Sequence, residues 1–155
     1  MRRTHYDKRW DMVQSSVDGP LAVIQRLHQA QNQHDIVAFV ACFAADYASE
    51  QPNYPDRAFT GNAQVHKNWS AIFRDIPDFH ADLIRASVSD QTGWSEWHWT
   101  GTHLDGSRFE WRGVIIMGIQ GDKIGWARLY MAPVEQPAGG IDAAVKAMTR
   151  STDQS

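Results

Sequence analysis

The chain is poor in residues that announce a chemistry. It has 155 residues and a single cysteine, Cys42, so no internal disulfide can form. Cys42 sits in the apolar run Phe39-Val-Ala-Cys-Phe43. A buried thiol is expected there rather than a nucleophile, because reactive thiolates need exposed, electropositive surroundings. No run approaches the roughly 20 apolar residues of a membrane span. The polar residues 1–19 lack the apolar segment of a signal peptide, so a cytoplasmic location without membrane contact is expected. No basic run extends beyond Arg2-Arg3 and the formal net charge is -3, which argues against a phosphate-backbone partner. There is no GxSxG nucleophile elbow. There is also no HExxH, CxxC, GxGxxG or P-loop, and the seven histidines show no ligand spacing, so neither a metal nor a nucleotide cofactor is expected.

What is present reads as one globular domain. Hydrophobic residues make up 43% and charged residues 21%, a composition that supports a packed core at this length. Residues 1–19 show no period and are expected to form an arm. Pro20 stands in the first turn of a helix carrying Leu21, Ile24, Leu27 and His28 at helical spacing. A second helix is predicted from Asp35, a plausible cap, with Ile36, Phe39, Val40 and Phe43 on one face. The stretch Glu50 to Asp56, with two prolines, is a loop. Thr60-Gly61 opens a third helix bearing Val65, Trp69, Ile72 and Phe73, ended by Pro77-Asp78.

The remainder reads as strand. Segments are predicted over 79–89, 94–103, 108–119 and 124–131, and Asp105-Gly106 is a strong two-residue hairpin signal. The domain is expected to span 20–135, followed by a tail over 136–155 in which Ile141, Val145 and Met148 suggest a short helix. Helices first and hairpin-connected strands after them argue an α+β fold rather than α/β. Three helices can bury only one face of such a sheet. The other face still carries aromatic and aliphatic side chains, so a homodimer is expected.

The order and spacing of several short motifs resemble the nuclear transport factor 2-like superfamily, and specifically its SnoaL-like branch. They are the helical pair ending in Phe43-Ala-Ala-Asp46, Phe59-Thr-Gly61 before the helix with Trp69, and Pro77-Asp78. They continue with Trp97, Gly101-Thr-His103, Arg112-Gly-Val114, and Asp122-Lys-Ile124 leading to Leu129-Tyr130. The resemblance covers about Leu21 to Val134. It implies a cone-shaped barrel, a curved antiparallel sheet wrapped over three N-terminal helices around a deep pocket, and frequent dimerisation. Family members include polyketide cyclases, ketosteroid isomerases, epoxide hydrolases, dehydratases and non-catalytic binding proteins, so the fold does not assign the function. In SnoaL-like cyclases an aspartate typically follows the final-strand tyrosine by two residues; here Ala132 stands there.

Several residues are candidates for a site. Trp126, Arg128 and Tyr130 share one face of the last strand, which the resemblance implies is the pocket face. Arg128 could bind a substrate carboxylate, be held by Glu96 or Asp82, or sit in solvent. Tyr130 could donate to a carbonyl or developing oxyanion, or be a core tyrosine. On the second strand Glu96, His98 and Thr100 lie on one face, Trp97 and Trp99 on the other. Inward, Glu96 and His98 would make an acid/base pair; with the tryptophans inward they would be outer contacts, the option the family pattern favours. Tyr47, Tyr54 and Trp69 are expected at the pocket mouth as wall. His103 is expected to bond backbone in its turn, and His66 and His80 to be exposed.

The function expected from these readings is cofactor-independent acid/base catalysis on a small, largely apolar molecule: isomerisation, cyclisation, dehydration or hydrolysis. Arg128 and Tyr130 would bind or polarise an oxygen and Glu96, His98 or Asp82 would move the proton. The rival reading is a non-catalytic ligand-binding or dimerisation module.

Overall fold

The structure, a computed structural model, describes residues 19–149. The arm expected over 1–19, with Arg2-Arg3 and Trp10, lies outside the described residues except for Gly19. Helix α1 spans Pro20–Asn32 and buries Leu21, Val23, Ile24, Leu27 and Gln31. Its last residue ties it to the sheet. Asn32 Nδ2 donates to the Ala81 carbonyl at 2.9 Å, and its Oδ1 accepts from the Ala81 N–H at 2.7 Å. Helix α2, Ile36–Ala41, is capped as expected: the Asp35 carboxylate accepts from the Ala38 N–H at 3.0 Å.

The second helix stops short of its predicted end. Strand β1, Phe43–Glu50, occupies residues expected to close that helix. Phe43, Tyr47 and Ser49 are buried while Ala48 and Glu50 are exposed, the alternation of a strand. Phe39, Val40 and Phe43 fit helical spacing, but over so short a stretch period alone cannot separate helix from strand, and pairing with a distant strand decides the outcome.

A 3₁₀ turn over Pro55–Arg57 and the short β2, Phe59–Thr60, lead into α3, Asn62–Asp75. Four strands follow: β3 His80–Ser89, β4 Thr92–Thr102, β5 Arg108–Gln120 and β6 Lys123–Pro133. The sheet order is β2-β1-β6-β5-β4-β3. Every pairing is antiparallel except β1 with β6, which is parallel. Register shifts between Leu83 and Arg85 and between Gly118 and Ile119 bend the strands. At Gly113 (φ 156°) a Cβ would collide with the Tyr130 carbonyl oxygen, so only glycine admits this approach of β5 to β6.

The curved sheet folds over α1, α2 and α3, and the core lies in the concavity: Ile24, Leu27, Phe39, Phe79, Trp97, Ile115, Met117 and Ile124 among others. Cys42 is buried there and its thiol donates to the Ala38 carbonyl. Burial pushes its pKa up. Helix α4, Gly140–Met148, keeps Ile141, Val145 and Met148 exposed. No helix among the described residues is long and apolar enough to cross a membrane.

Candidate ligand-binding site

Strand parity decides which side chains meet inside the cone. The Asp105-Gly106 turn sets β4 against β5 so that Trp99 stands opposite Trp111 and Trp97 opposite Gly113. Ser95, Trp97 and Trp99 therefore point inward, with Phe109, Trp111, Ile115 and Met117 beside them. On β6 the inward residues are Ala127, Leu129 and Met131, and on β1 they are Phe43, Tyr47 and Ser49. Together with the helices these side chains enclose a cavity of about 290 Å³.

Its walls are aromatic and aliphatic in equal measure. Trp69 of α3 meets Trp99 edge-on, with ring centroids 5.4 Å apart, and Phe39 at 4.6 Å. Phe43 meets Tyr47 edge-on at 4.7 Å. Such geometries fix ring orientation as well as filling space. Trp97 is locked further: its Nε1 donates to Ser95 Oγ at 2.8 Å, and that hydroxyl donates to the Ile115 carbonyl at 2.9 Å.

The cavity also has polar points. Burial pushes the Tyr47 hydroxyl up to about 12, against a smaller opposing effect of its hydrogen bond with Ser49. Two wall residues hold buried atoms without a hydrogen-bond partner, the acceptor Gln31 Oε1 and the donor Trp99 Nε1. Such atoms cost free energy in a sealed interior. Arg57 is the only charged residue lining the cavity among the described residues. It is exposed at the rim, with its guanidinium carbon 3.8 Å from the Tyr54 ring centroid.

The candidate residues divide between the two faces of the sheet. Tyr47, Trp69, Trp97 and Trp99 line the cavity. Trp126, Arg128 and Tyr130 do not share its face. They lie on the outer surface of β6, opposite Gly118, Ile116 and Val114. Arg128 is half-exposed, 3.3 Å from Glu50 Oε2 rather than from Glu96 or Asp82. Trp126 lies over Gly118, where an added Cβ would strike its indole. The expected pocket face of β6 is thus the opposite one. The strand alternates Ala127, Leu129 and Met131 with Trp126, Arg128 and Tyr130; both sets carry apolar surface, so alternation alone does not say which is inside. Ala132 is on the outer face too, opposite Arg112, so an acid at that position would not reach the cavity.

Glu96, His98 and Asp82 also face outward. Glu96 pairs with Arg85 at 3.0 Å and Asp82 with His80 at 2.9 Å. His98 Nε2 lies 2.7 Å from Glu110 Oε2, whose other oxygen is 3.3 Å from Arg108. The hydrogen bond from His98, with smaller help from Arg108, holds the Glu110 carboxyl below its ordinary range. His103 bonds the Asp75 carboxylate at 2.7 Å through its ring, while its main-chain N–H donates to the Ser107 carbonyl in the turn at 2.9 Å. Tyr54 is exposed beneath Arg57 and does not line the cavity. No group of three or more His, Cys, Asp or Glu among the described residues could hold a metal ion.

Sequence reasoning missed Gln31, Ser49, Arg57, Asn68, Phe109 and Trp111. Gln31 follows Leu27 by four residues on the buried face of α1, a lone polar side chain in an apolar stripe, and was legible as such. Phe109 and Trp111 follow from the hairpin register. Arg57 carries no signal beyond its loop.

The family can now be stated. The model of the SnoaL-like domain matches residues 24–125, well over half of the chain. The chain belongs to the SnoaL-like family of the nuclear transport factor 2-like superfamily. Among curated proteins no sequence match was found. Solved structures share the fold at low identity. One is a protein of ketosteroid isomerase-like fold from Catenulispora acidiphila, solved with trimethylamine: 16% identity, 68% of this chain and 82% of that one, TM-score 0.60. Another is an uncharacterised cystatin-fold protein from Novosphingobium aromaticivorans: 21% identity, 71% and 96%, TM-score 0.60. A third is IdmH, a proposed polyketide cyclase from Streptomyces antibioticus: 16% identity, 74% and 91%, TM-score 0.63. This SnoaL-like chain thus has the α+β cone of its relatives.

Proposed function

We propose that this SnoaL-like protein binds a small, flat, largely apolar molecule in the cone and does not move protons on it. The observation that carries this reading is the lining: aromatic and aliphatic side chains, neutral polar groups, and one charge at the rim. Proton transfer near neutral pH needs a group that titrates there, within hydrogen-bond reach of the substrate. Tyr47, pushed up to about 12, is unsuited to that role. Glu96, His98 and Asp82, the acid/base candidates of the sequence, lie across the sheet from the cavity, each within 3.0 Å of a side-chain partner there.

The size is informative. A cavity of about 150 Å³ holds one benzene ring; this one, at about 290 Å³, suits two fused rings. A carbonyl or hydroxyl on such a ligand would answer the unpartnered Trp99 Nε1, and a hydroxyl would answer Gln31 Oε1 as well.

The test uses 2-acetonaphthone, a bicyclic ketone with exchangeable methyl protons. Calorimetry is expected to show one molecule bound per chain. In D₂O, deuterium should enter the methyl group no faster with protein than without. Absence of binding overturns the proposal. So does protein-accelerated exchange that falls about 10²–10⁴-fold in His98→Gln or Glu96→Gln, the contribution of a positioned acid or base; that result would restore the isomerase-like reading.

A further inference from the structure

Resting on the binding reading above, we infer that the preferred ligand is an aromatic carboxylic acid, its rings in the cone and its carboxylate on Arg57 at the rim. Four observations converge on this. Arg57 is the only charged group lining the cavity among the described residues, and none of their carboxylates pairs with it. Arg26, Arg74 and Arg112 also have no carboxylate partner among the described residues, so what sets Arg57 apart is its position on the cavity. Its guanidinium is also held in place. It stacks over Tyr54 at 3.8 Å and gives one Nη1–H to Gln51 Oε1 at 3.3 Å. A guanidinium has five N–H donors, so a fork is left for an incoming group. Pro52 and Pro55 bracket Tyr54 and restrict the loop that presents it.

The chemistry of the fork selects the head group. Two parallel N–H donors match the two oxygens of a carboxylate. Stacking on an aromatic ring fixes the guanidinium plane, so little freedom remains to be lost on binding. The rest of the cavity offers no second cation among the described residues, which suits a single negative charge. The overall field does not supply the preference, because the formal net charge of -3 repels anions. Any selectivity for an acid must be local.

The experiment compares 2-naphthoate with 2-acetonaphthone, which has nearly the same shape and no charge, by calorimetry on the full chain and on Arg57→Gln. Wild-type protein is expected to bind the acid about tenfold more tightly than the ketone at low salt, a modest factor because the pair is exposed. The preference should shrink as salt is added. Arg57→Gln should bind both with the affinity that wild type shows for the ketone. Equal wild-type affinities, or a preference that survives in Arg57→Gln, overturn the inference while leaving the apolar cavity in place. If neither molecule binds, the binding reading falls and this one with it. A wild-type thermal transition for Arg57→Gln, whose side chain is exposed, separates lost recognition from lost fold.

Discussion

Asn32 shows how much one side chain can carry in this fold. It ends α1 and satisfies both backbone groups of Ala81 on β3. Since β3 is the sheet's last strand, those groups have no further strand to pair with. His28 reaches the same carbonyl from one turn earlier, at 2.7 Å. Asn32→Ala would leave the Ala81 N–H, in a fully buried residue, without its partner. The expected loss is about 1–3 kcal/mol, the cost of an unmet buried donor. It should appear in urea unfolding as a lower midpoint at unchanged slope. Asn32→Asp, which keeps the acceptor for that N–H, should recover part of it. A loss below about 0.5 kcal/mol for Asn32→Ala would mean that His28 alone secures the strand. Arg128 makes the converse point. Its type suggested a buried anchor, yet its partner is a half-exposed glutamate from a neighbouring strand. Residue type suggests what a side chain can do; the face it occupies decides whether it does it.

Elements are joined by carboxylates that the sheet holds more acidic than usual. Asp78, before β3, accepts from the Thr102 N–H of β4 at 2.7 Å, and that bond lowers its pKa from the ordinary 3.8. Glu110 of β5 is lowered from 4.5 by its bond with His98 of β4. A group more acidic in the folded state gives the unfolded chain the greater proton uptake, so stability rises with pH across that window. The contribution is present above the ordinary values and is lost as pH falls through the lowered ones. Thermal midpoints recorded from pH 6 down to about pH 2.5 should therefore fall below about pH 4.5. Asp78→Asn and Glu110→Gln should each flatten that fall. An unchanged slope in both would mean that the acid sensitivity lies elsewhere.

Most of these elements were legible because their periods were long: thirteen residues of α1, fourteen of α3, and the hairpin strands β4 and β5 around Asp105-Gly106. Strand β1 was not. Its evidence is a parallel partner some eighty residues away, which local spacing cannot contain. The same reason hid half the site. Tyr47 and Trp69 line the cavity, but the inward face of β6 depends on its pairing with β1 and β5. A reading that ends a helix near Asp46 leaves Arg128 without its β1 neighbour Glu50, one of the two strands that set its face.

At the scale of the whole molecule the two faces of the sheet have separate work. The inner face encloses the cavity. The outer face carries a central apolar patch, in which Trp94, Ile116 and Trp126 adjoin Val114 and Tyr130 by register. Trp94 is 48% and Tyr130 38% exposed. Two ion pairs adjoin these side chains: Arg85 with Glu96, which stands opposite Val114, and Glu50 with Arg128, which stands opposite Ile116 between Trp126 and Tyr130. A patch in which apolar side chains alternate with charges of both signs can be self-complementary under a two-fold axis, where each arginine can meet a partner's glutamate. A homodimer through this face is expected. Light scattering behind size exclusion should give twice the 17.6 kDa chain mass, and Trp94→Lys, which puts a charge in the patch without touching the core, should give one chain mass. A monomer at every concentration rejects the dimer, and a dimer that survives Trp94→Lys rejects this face as its interface. Because the cavity lies on the other face of the sheet, the Trp94→Lys monomer should bind 2-acetonaphthone as wild type does. A loss of binding on dissociation would mean that the second copy shapes the cone.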